Sequence, residues 1–269
     1  MKIGSNDIVD VKTGSTQVNK VYLGSNLVWS KVSDPILAYS PYNVWDSEHL
    51  TIIGDVTTLL DYNNVGTAYD MANPAASNQP IYNSSSANFN SLPSFTFNGS
   101  SDYVSSSVSN FRGSDTSGIV VSVYRKLSGN VIFSFSVSAS YTQRGFYTTE
   151  SNNGFRILAV TDGPLLRIVG STNIDNTNPQ LATYQNSGSS YKMWIGDTAQ
   201  SLDFQSGGND GSIWFSSSND FNTIDIGALE YNNSVFFSNI EWCFSGYFPY
   251  VNDATTLEII AILKTKYGI

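Results

Sequence analysis

Paired carboxylates are the first chemistry to seek in this chain. Glycosidic bond cleavage uses one carboxyl as proton donor and a second as base or nucleophile, about 5–9 Å apart. On one strand that calls for a Glu-x-Asp-x-(x)-Glu run, because alternate side chains share a face. The glutamates are Glu48, Glu150, Glu230, Glu241 and Glu258, and none of them heads such a run. Asp225 and Glu230 stand five apart, which puts them on opposite faces of a continuing strand, and Gly227 interrupts it. The chain therefore reads as a non-enzyme. Histidine occurs once, at His49, and cysteine once, at Cys243. A histidine-dependent triad has almost no material, and an intrachain disulfide is impossible. Cys243 lacks a nearby Lys, Arg or His in sequence to activate it, so it reads as a packed thiol.

Calcium needs several oxygen ligands close together. Asp102, Asp162, Asp197, Asp203, Asp210 and Asp220 fall in predicted loops, but no tight multi-acid loop occurs. Loop Asp and Asn more often shape turns by bonding nearby backbone. Calcium stays admissible, no ligand set is assigned, and no cofactor is expected. Sugar recognition is a different chemistry: an exposed aromatic ring takes the apolar CH face, and amides or carboxylates take the hydroxyls. In Tyr191–Ile195, Met193 and Ile195 share one face and Trp194 shares the other with Lys192. In Ile213-Trp214-Phe215, Trp214 likewise points away from its neighbours. Trp194 and Trp214 are thus the candidate carbohydrate platform, and the competing reading places both in the core.

The elements that must hold these residues are strands. Aromatic and charged residues each make up 13% of the 269 residues, so the chain is poor in the charged helix formers and rich in aromatic strand formers. Runs such as Ser94–Phe97, Gly118–Tyr124, Asn130–Val137, Phe155–Val160, Leu165–Val169, Tyr191–Ile195, Ser212–Ser216, Thr223–Leu229 and Val235–Phe244 are separated by polar, Gly-rich turns. Many short strands at that spacing indicate a sandwich. Trp242 is assigned to the core beside Phe236, Ile240 and Phe244, with Cys243 on the opposite face. One helix closes the chain. Thr255-Thr256-Leu257-Glu258 has the capping-box pattern, and Leu257, Ile260, Ala261 and Leu263 make an apolar stripe for packing on the sandwich.

The opening residues repeat with a period of ten: Gly-Ser recurs at 4–5, 14–15 and 24–25, each time before a short strand pattern. Three such strands are too few to bury a core alone. Either they join the main sheet, or residues 1–32 form an attachment and oligomerisation module whose contacts come from Val18, Val21, Tyr22, Leu23, Leu27, Val28 and Trp29. Residues 33–44, with Pro35 and Pro41, read as a linker, and 45–269 as the main domain. A net charge of −9 disfavours nucleic acid and anionic membrane surfaces as partners. The first residues lack the apolar stretch of a signal peptide, and no run is apolar for the roughly 18–20 residues of a membrane span. Synthesis without a secretory leader is expected.

Pro93-Ser94-Phe95-Thr96-Phe97-Asn98-Gly99-Ser100-Ser101-Asp102-Tyr103-Val104 resembles the signature of laminin-G-like, concanavalin A-like jelly rolls. Thr223-Ile224-Asp225-Ile226-Gly227-Ala228 is similar to a later strand of that family, and Lys266-Tyr267-Gly268-Ile269 to its common ending. Trp194-Ile195-Gly196-Asp197 departs from the usual strand. The resemblance spans roughly residues 43–269. Val18–Ser25 followed by Leu27-Val28-Trp29 is similar to the openings of bacteriophage virion proteins. Together these imply an all-β jelly-roll sandwich with one C-terminal helix, preceded by a small β-repeat module. They imply a structural virion protein, attached through residues 1–32 to other virion proteins and to its own copies, most simply as a trimer. The jelly roll would face outward for host-surface glycan adhesion or for head or tail decoration. A polysaccharide-degrading appendage and a ligand-free decoration protein are the alternatives.

Overall fold

The computed structural model describes the chain except residues 1, 4–5, 8–10, 14–15, 19, 24–25, 31–33, 54–55, 62–68, 110, 130, 137–142, 149–153, 161–164, 174–177, 218–220 and 232–233. Side chains before residue 34, and those of 51, 53, 56, 143–148, 154–160, 165, 172–173 and 231, also lie outside the description. Its contacts divide the chain into Met1–Ala38 and Tyr39–Ile269.

In the first unit the ten-residue period becomes hairpins rather than single strands. β1 (Lys2–Ile3) pairs with β2 (Asn6–Asp7), β3 (Val11–Thr13) with β4 (Thr16–Val18), and β5 (Lys20–Leu23) with β6 (Asn26–Ser30). Each pair is its own two-stranded sheet, so these strands are not woven into the large sheet. Val18 lies on β4, Val21, Tyr22 and Leu23 on β5, and Leu27, Val28 and Trp29 on β6. Their side chains are outside the described residues. The segment read as a linker holds a 3-10 turn, Pro35–Tyr39.

The second unit begins with β7 (Asn43–Ile53), β8 (Val56–Asp61), β9 (Met71–Ala72), β10 (Ile81–Asn83), β11 (Ser94–Asn98) and β12 (Val104–Ser107). It continues through β13 (Gly118–Ser128), β14 (Val131–Ser136), β15 (Gln143–Thr148), β16 (Gly154–Val160), β17 (Leu165–Asn173), β18 (Gln180–Asn186) and β19 (Tyr191–Ile195). β20 (Thr198–Ala199), β21 (Leu202–Ser206), β22 (Thr223–Ile226), β23 (Ala228–Tyr231), β24 (Ser234–Phe237) and β25 (Asn239–Phe248) follow, then helix α1 (Asp253–Tyr267).

One layer runs β19–β18–β13–β25 in antiparallel register, and the far edge of β25 is shared by β11 and β7. The opposing layer runs β12–β22–β14–β15–β16–β17–β21. β7, β8 and β9 pair in sequence, and β9 reaches β12 through Ala72 and Ser105, so they carry the chain from one layer to the other. This is an all-β jelly-roll sandwich with one C-terminal helix. Alternation fills its interior with rings: Phe95, Phe97, Tyr124, Phe133, Phe135 and Trp242 are all buried. Trp45 meets Phe133 with ring centroids 5.5 Å apart. At about 1.5–3 kcal/mol per large apolar side chain, this layer of rings is the principal source of stability.

The register of β25 differs from strict alternation. The ladder to β13 skips Cys243, a bulge on β25 that turns Phe244 to the helix side of the sheet, where its ring lies 6.2 Å from Tyr267 of α1. Phe236, on the hairpin β23–β24, is 51% exposed rather than packed beside Trp242. Trp242 and Cys243 are both fully buried. The helix starts earlier than Thr255: Asn252 is its cap and accepts from the Thr255 amide at 3.0 Å. The buried face is Thr256, Ile259, Ile260, Leu263 and Tyr267, which keeps Ile260 and Leu263 of the expected stripe and leaves Leu257 and Ala261 exposed.

Candidate functional site

Trp214 is no part of a platform. The segment expected as a strand is loop followed by a 3-10 turn at Phe215–Ser217. Asn186 binds the carbonyls of Gly211 and Ile213 through its amide, and this turns the following ring inward. Trp214 is 3% exposed and donates to the Tyr247 hydroxyl at 3.1 Å, with Tyr184 and Phe215 against its faces. Trp194 does lie on the face away from the core residue Met193, but it too is 3% exposed. It contributes to a wall instead of offering a face for stacking.

That wall belongs to a groove of about 630 Å³ between β19, β20, β21 and the first turns of α1. Trp194, Leu202, Phe204 and Leu257 supply apolar surface, and Lys192, Asp197, Gln200, Asn209 and Asp253 supply polar groups. Each acid is matched by a lysine. Lys192 Nζ lies 2.5 Å from Asp253, and Lys264 Nζ lies 2.8 Å from Asp197. The Lys264 contact holds the Asp197 carboxyl below its ordinary pKa. Asn209 accepts from the Tyr191 amide at 2.6 Å, which fixes it on the groove's edge. The result is charge-balanced and amphipathic, as a sugar ring with an apolar face and a hydroxyl rim requires.

A second pocket, about 540 Å³, lies outside the opposing layer and is lined by Asn73, Ser105, Ser107, Asn222, Thr223 and Glu230 among others. Here the five-residue spacing of Asp225 and Glu230 does not separate them. Gly227 has φ +80, and a Cβ there would fall 2.4 Å from the Phe97 ring, so only glycine makes this turn. The turn swings β23 back, and the Glu230 amide reaches Asp225 Oδ2 at 3.4 Å. Ser134 Oγ lies 3.3 Å from the same oxygen and 2.9 Å from the Ala228 carbonyl, and a Ser105 side-chain hydrogen bond also acts on the carboxyl. Burial first, then the charge of Glu230, pushes the Asp225 carboxyl up to about 7. Tyr103 donates to Glu230 at 3.3 Å, and burial with the two acids raises this phenol to about 12. Alternation along one strand missed this pair; glycine in the middle of a strand pattern was the available signal.

Two other acid clusters are structural. Asp46 and Glu48 are two apart on β7, a spacing outside the Glu-first pattern sought in the sequence. Lys266 lies 2.8 Å from Asp46 and 2.9 Å from Glu48, and Tyr267 donates to Asp46 at 2.8 Å, so the pair anchors the end of α1. Burial pushes both Tyr267 and Cys243 well above their ordinary pKa values, so the thiol stays protonated. Glu241 accepts from Ser86, Ser94 and Asn88 at 2.5, 2.8 and 2.7 Å.

Of the aspartates expected in loops, Asp102 and Asp210 shape turns, Asp197 is paired with Lys264, and Asp203 lies on strand β21 rather than in a loop. The Asn98 side chain accepts from the amides of Ser100, Ser101 and Asp102 and donates to the Asp102 carboxylate at 2.7 Å. Asp210 accepts from the Ser212 amide. Asp162 and Asp220 lie outside the described residues. Among the described residues no three Asp, Glu, His or Cys side chains group as a metal site.

No family model matches the sequence, and no curated protein is similar to it. Solved structures are. Trypanosoma rangeli sialidase matches over 92% of this chain and 36% of its own length, at 11% identity and a TM-score of 0.54. The CBM40 of the Ruminococcus gnavus IT-sialidase bound to alpha2,3 sialyllactose matches over 55% of this chain and 82% of its own, at 13% identity and a TM-score of 0.46. NanB sialidase from Streptococcus pneumoniae matches over 57% and 26%, at 11% identity and a TM-score of 0.47. At these identities the likeness is one of fold.

Proposed function

We propose that residues 39–269 form a non-catalytic carbohydrate-binding domain, and that the hairpins of residues 1–32 attach it to a bacteriophage particle and to its own copies. The groove beside α1 carries the first half of this reading. Its apolar surface from Leu257, Phe204 and Leu202 accepts the CH face of a sugar, while Gln200, Asn209 and Asp197 accept or donate at the rim. Because Lys192 and Lys264 already neutralise Asp253 and Asp197, the groove suits a neutral glycan better than an acidic one. Single sites of this kind bind weakly, and oligomerisation through the N-terminal hairpins multiplies them into useful avidity.

Binding of the full chain to an array of host-surface polysaccharides is the test. Gln200→Ala and Asp197→Ala, both on the accessible rim, should weaken binding to a neutral glycan at least tenfold without moving the melting temperature. Absence of binding to every host polysaccharide would favour ligand-free decoration instead. Removal of residues 1–32 should abolish particle incorporation and reduce the oligomeric state; an unchanged particle and mass would end the attachment assignment.

A further inference from the structure

The β23–β24 hairpin has no part in the glycan groove, and it is held to the body unevenly. Its base is fastened through backbone. The Gly227 amide donates to the Ile132 carbonyl at 3.1 Å, the Ser238 amide to the Gly227 carbonyl at 2.9 Å, and the Val131 amide to Ser238 Oγ at 2.6 Å. Beyond that base, β23 and β24 pair only with each other. A lone two-stranded hairpin is marginal in water, so contacts with the body must keep it down. Ala228 and Leu229 are buried, and the Tyr103 and Phe237 rings meet with centroids 5.8 Å apart. The remaining ties are polar: the Tyr103 hydroxyl on Glu230, and the Glu230 amide on Asp225. They seat one carboxylate, on the hairpin, beside another in the sheet. The groups that face Asp225 are Ser105 from β12, Ser134 from β14 and Glu230 from β23, with Tyr103 next to Glu230. Among the described residues no lysine, arginine or histidine acts on it.

We propose that this hairpin is a pH-sensitive flap hinged at Gly227 and Ser238: it lies closed while Asp225 carries a proton, and ionised Asp225 repels Glu230 and lifts β23 and β24 from the sheet. Burial and the Glu230 charge raise the closed-state carboxyl to about 7, and opening returns it to water and to the ordinary carboxylate range. The closed state is therefore fully favoured in acid and loses that advantage as the pH rises to about 7. Above that value both states are ionised and the effect levels off. Opening uncovers Leu229, whose cross-strand neighbour Phe236 is already exposed together with Val235. The device thus presents a wider apolar edge as the pH approaches neutrality.

The experiment is hydrogen exchange of the full chain at a series of pH values, read as protection relative to the intrinsic amide rate. At every pH the hairpin amides should be about tenfold or more less protected than those of β13 and β25, the mark of local opening. Their protection should fall by up to about tenfold per pH unit between about 5 and 7 and then level off. Asp225→Asn should hold it constant. Glu230→Gln keeps an acceptor for Tyr103 and removes the repelling charge, so it should shrink the fall. Glu230 is only half-buried, and this variant decides the matter even if Asp225→Asn fails to fold. Hairpin protection indifferent to pH in the native chain overturns the proposal. So does a hairpin as well protected as β13 and β25, which opens only with the whole body, or a fall of undiminished size in either variant.

Discussion

Glu241 and Asp225 are buried carboxylates on opposite layers of the sandwich, and their surroundings differ sharply. Glu241, on β25, is 4% exposed and collects donors from Ser86, Ser94 and Asn88, with Arg125 Nε at 3.3 Å. Asp225, on β22, is fully buried, with hydroxyl contacts from Ser105 and Ser134, one long amide contact and a second carboxylate that raises its pKa. The first is a charge whose desolvation is offset by direct bonding, so its role is complete within the chain. The second is offset less completely, and the shortfall shows as a carboxyl that keeps its proton to near neutral pH.

Substitution separates the two most sharply. Glu241→Gln should destabilise the body by about 3 kcal/mol, because it breaks a buried charge network and misdirects its donors; urea denaturation at neutral pH measures this. Asp225→Asn should do the reverse and leave stability equal or raised, because it removes a charge that the fold disfavours. A loss comparable with that of Glu241→Gln would erase the distinction.

Acidity supplies the next contrast. The Asp225 carboxyl ionises near 7 in the folded chain and near 3.9 when unfolded. The folded state therefore holds this proton more tightly. The stability it contributes is full below about pH 4 and is lost as the pH rises through 7. Denaturation midpoints should decline between pH 5 and 8 in the native chain, and Asp225→Asn should flatten that decline. The smallest effect belongs to a pair that water already reaches. Lys192 and Asp253 are each about half exposed, so Lys192→Ala should change stability by less than about 1 kcal/mol. A larger loss would mean that surface ion pairs hold α1 as buried ones do.

The layers and the closing helix were legible in the sequence because their cause is local. Strand alternation at Ser94–Phe97 or Tyr191–Ile195 encodes which face is buried, and Gly268 with Lys264 and Lys266 marks where the helix ends. Three things were not legible, each decided by a contact distant in sequence. Asn186 fixes the loop around Ile213, so a run that alternates like a strand turns Trp214 inward. Asn252 is as competent a cap as Thr255, and packing of Tyr267 and Thr256 on the sheet selects the earlier start. Gly227 turns under Phe97, and without that ring nothing in Thr223–Glu230 shows that two acids meet.

The clasp of Lys266 and Tyr267 on Asp46 joins side chains 220 and 221 positions apart. An Asp46 carboxylate that takes two of its donors from the last turn of α1 is fully paired only once that turn has packed against β7. Completion of this body is therefore a late event governed by long-range closure, and it is expected to be slow by comparison with helical chains of the same size.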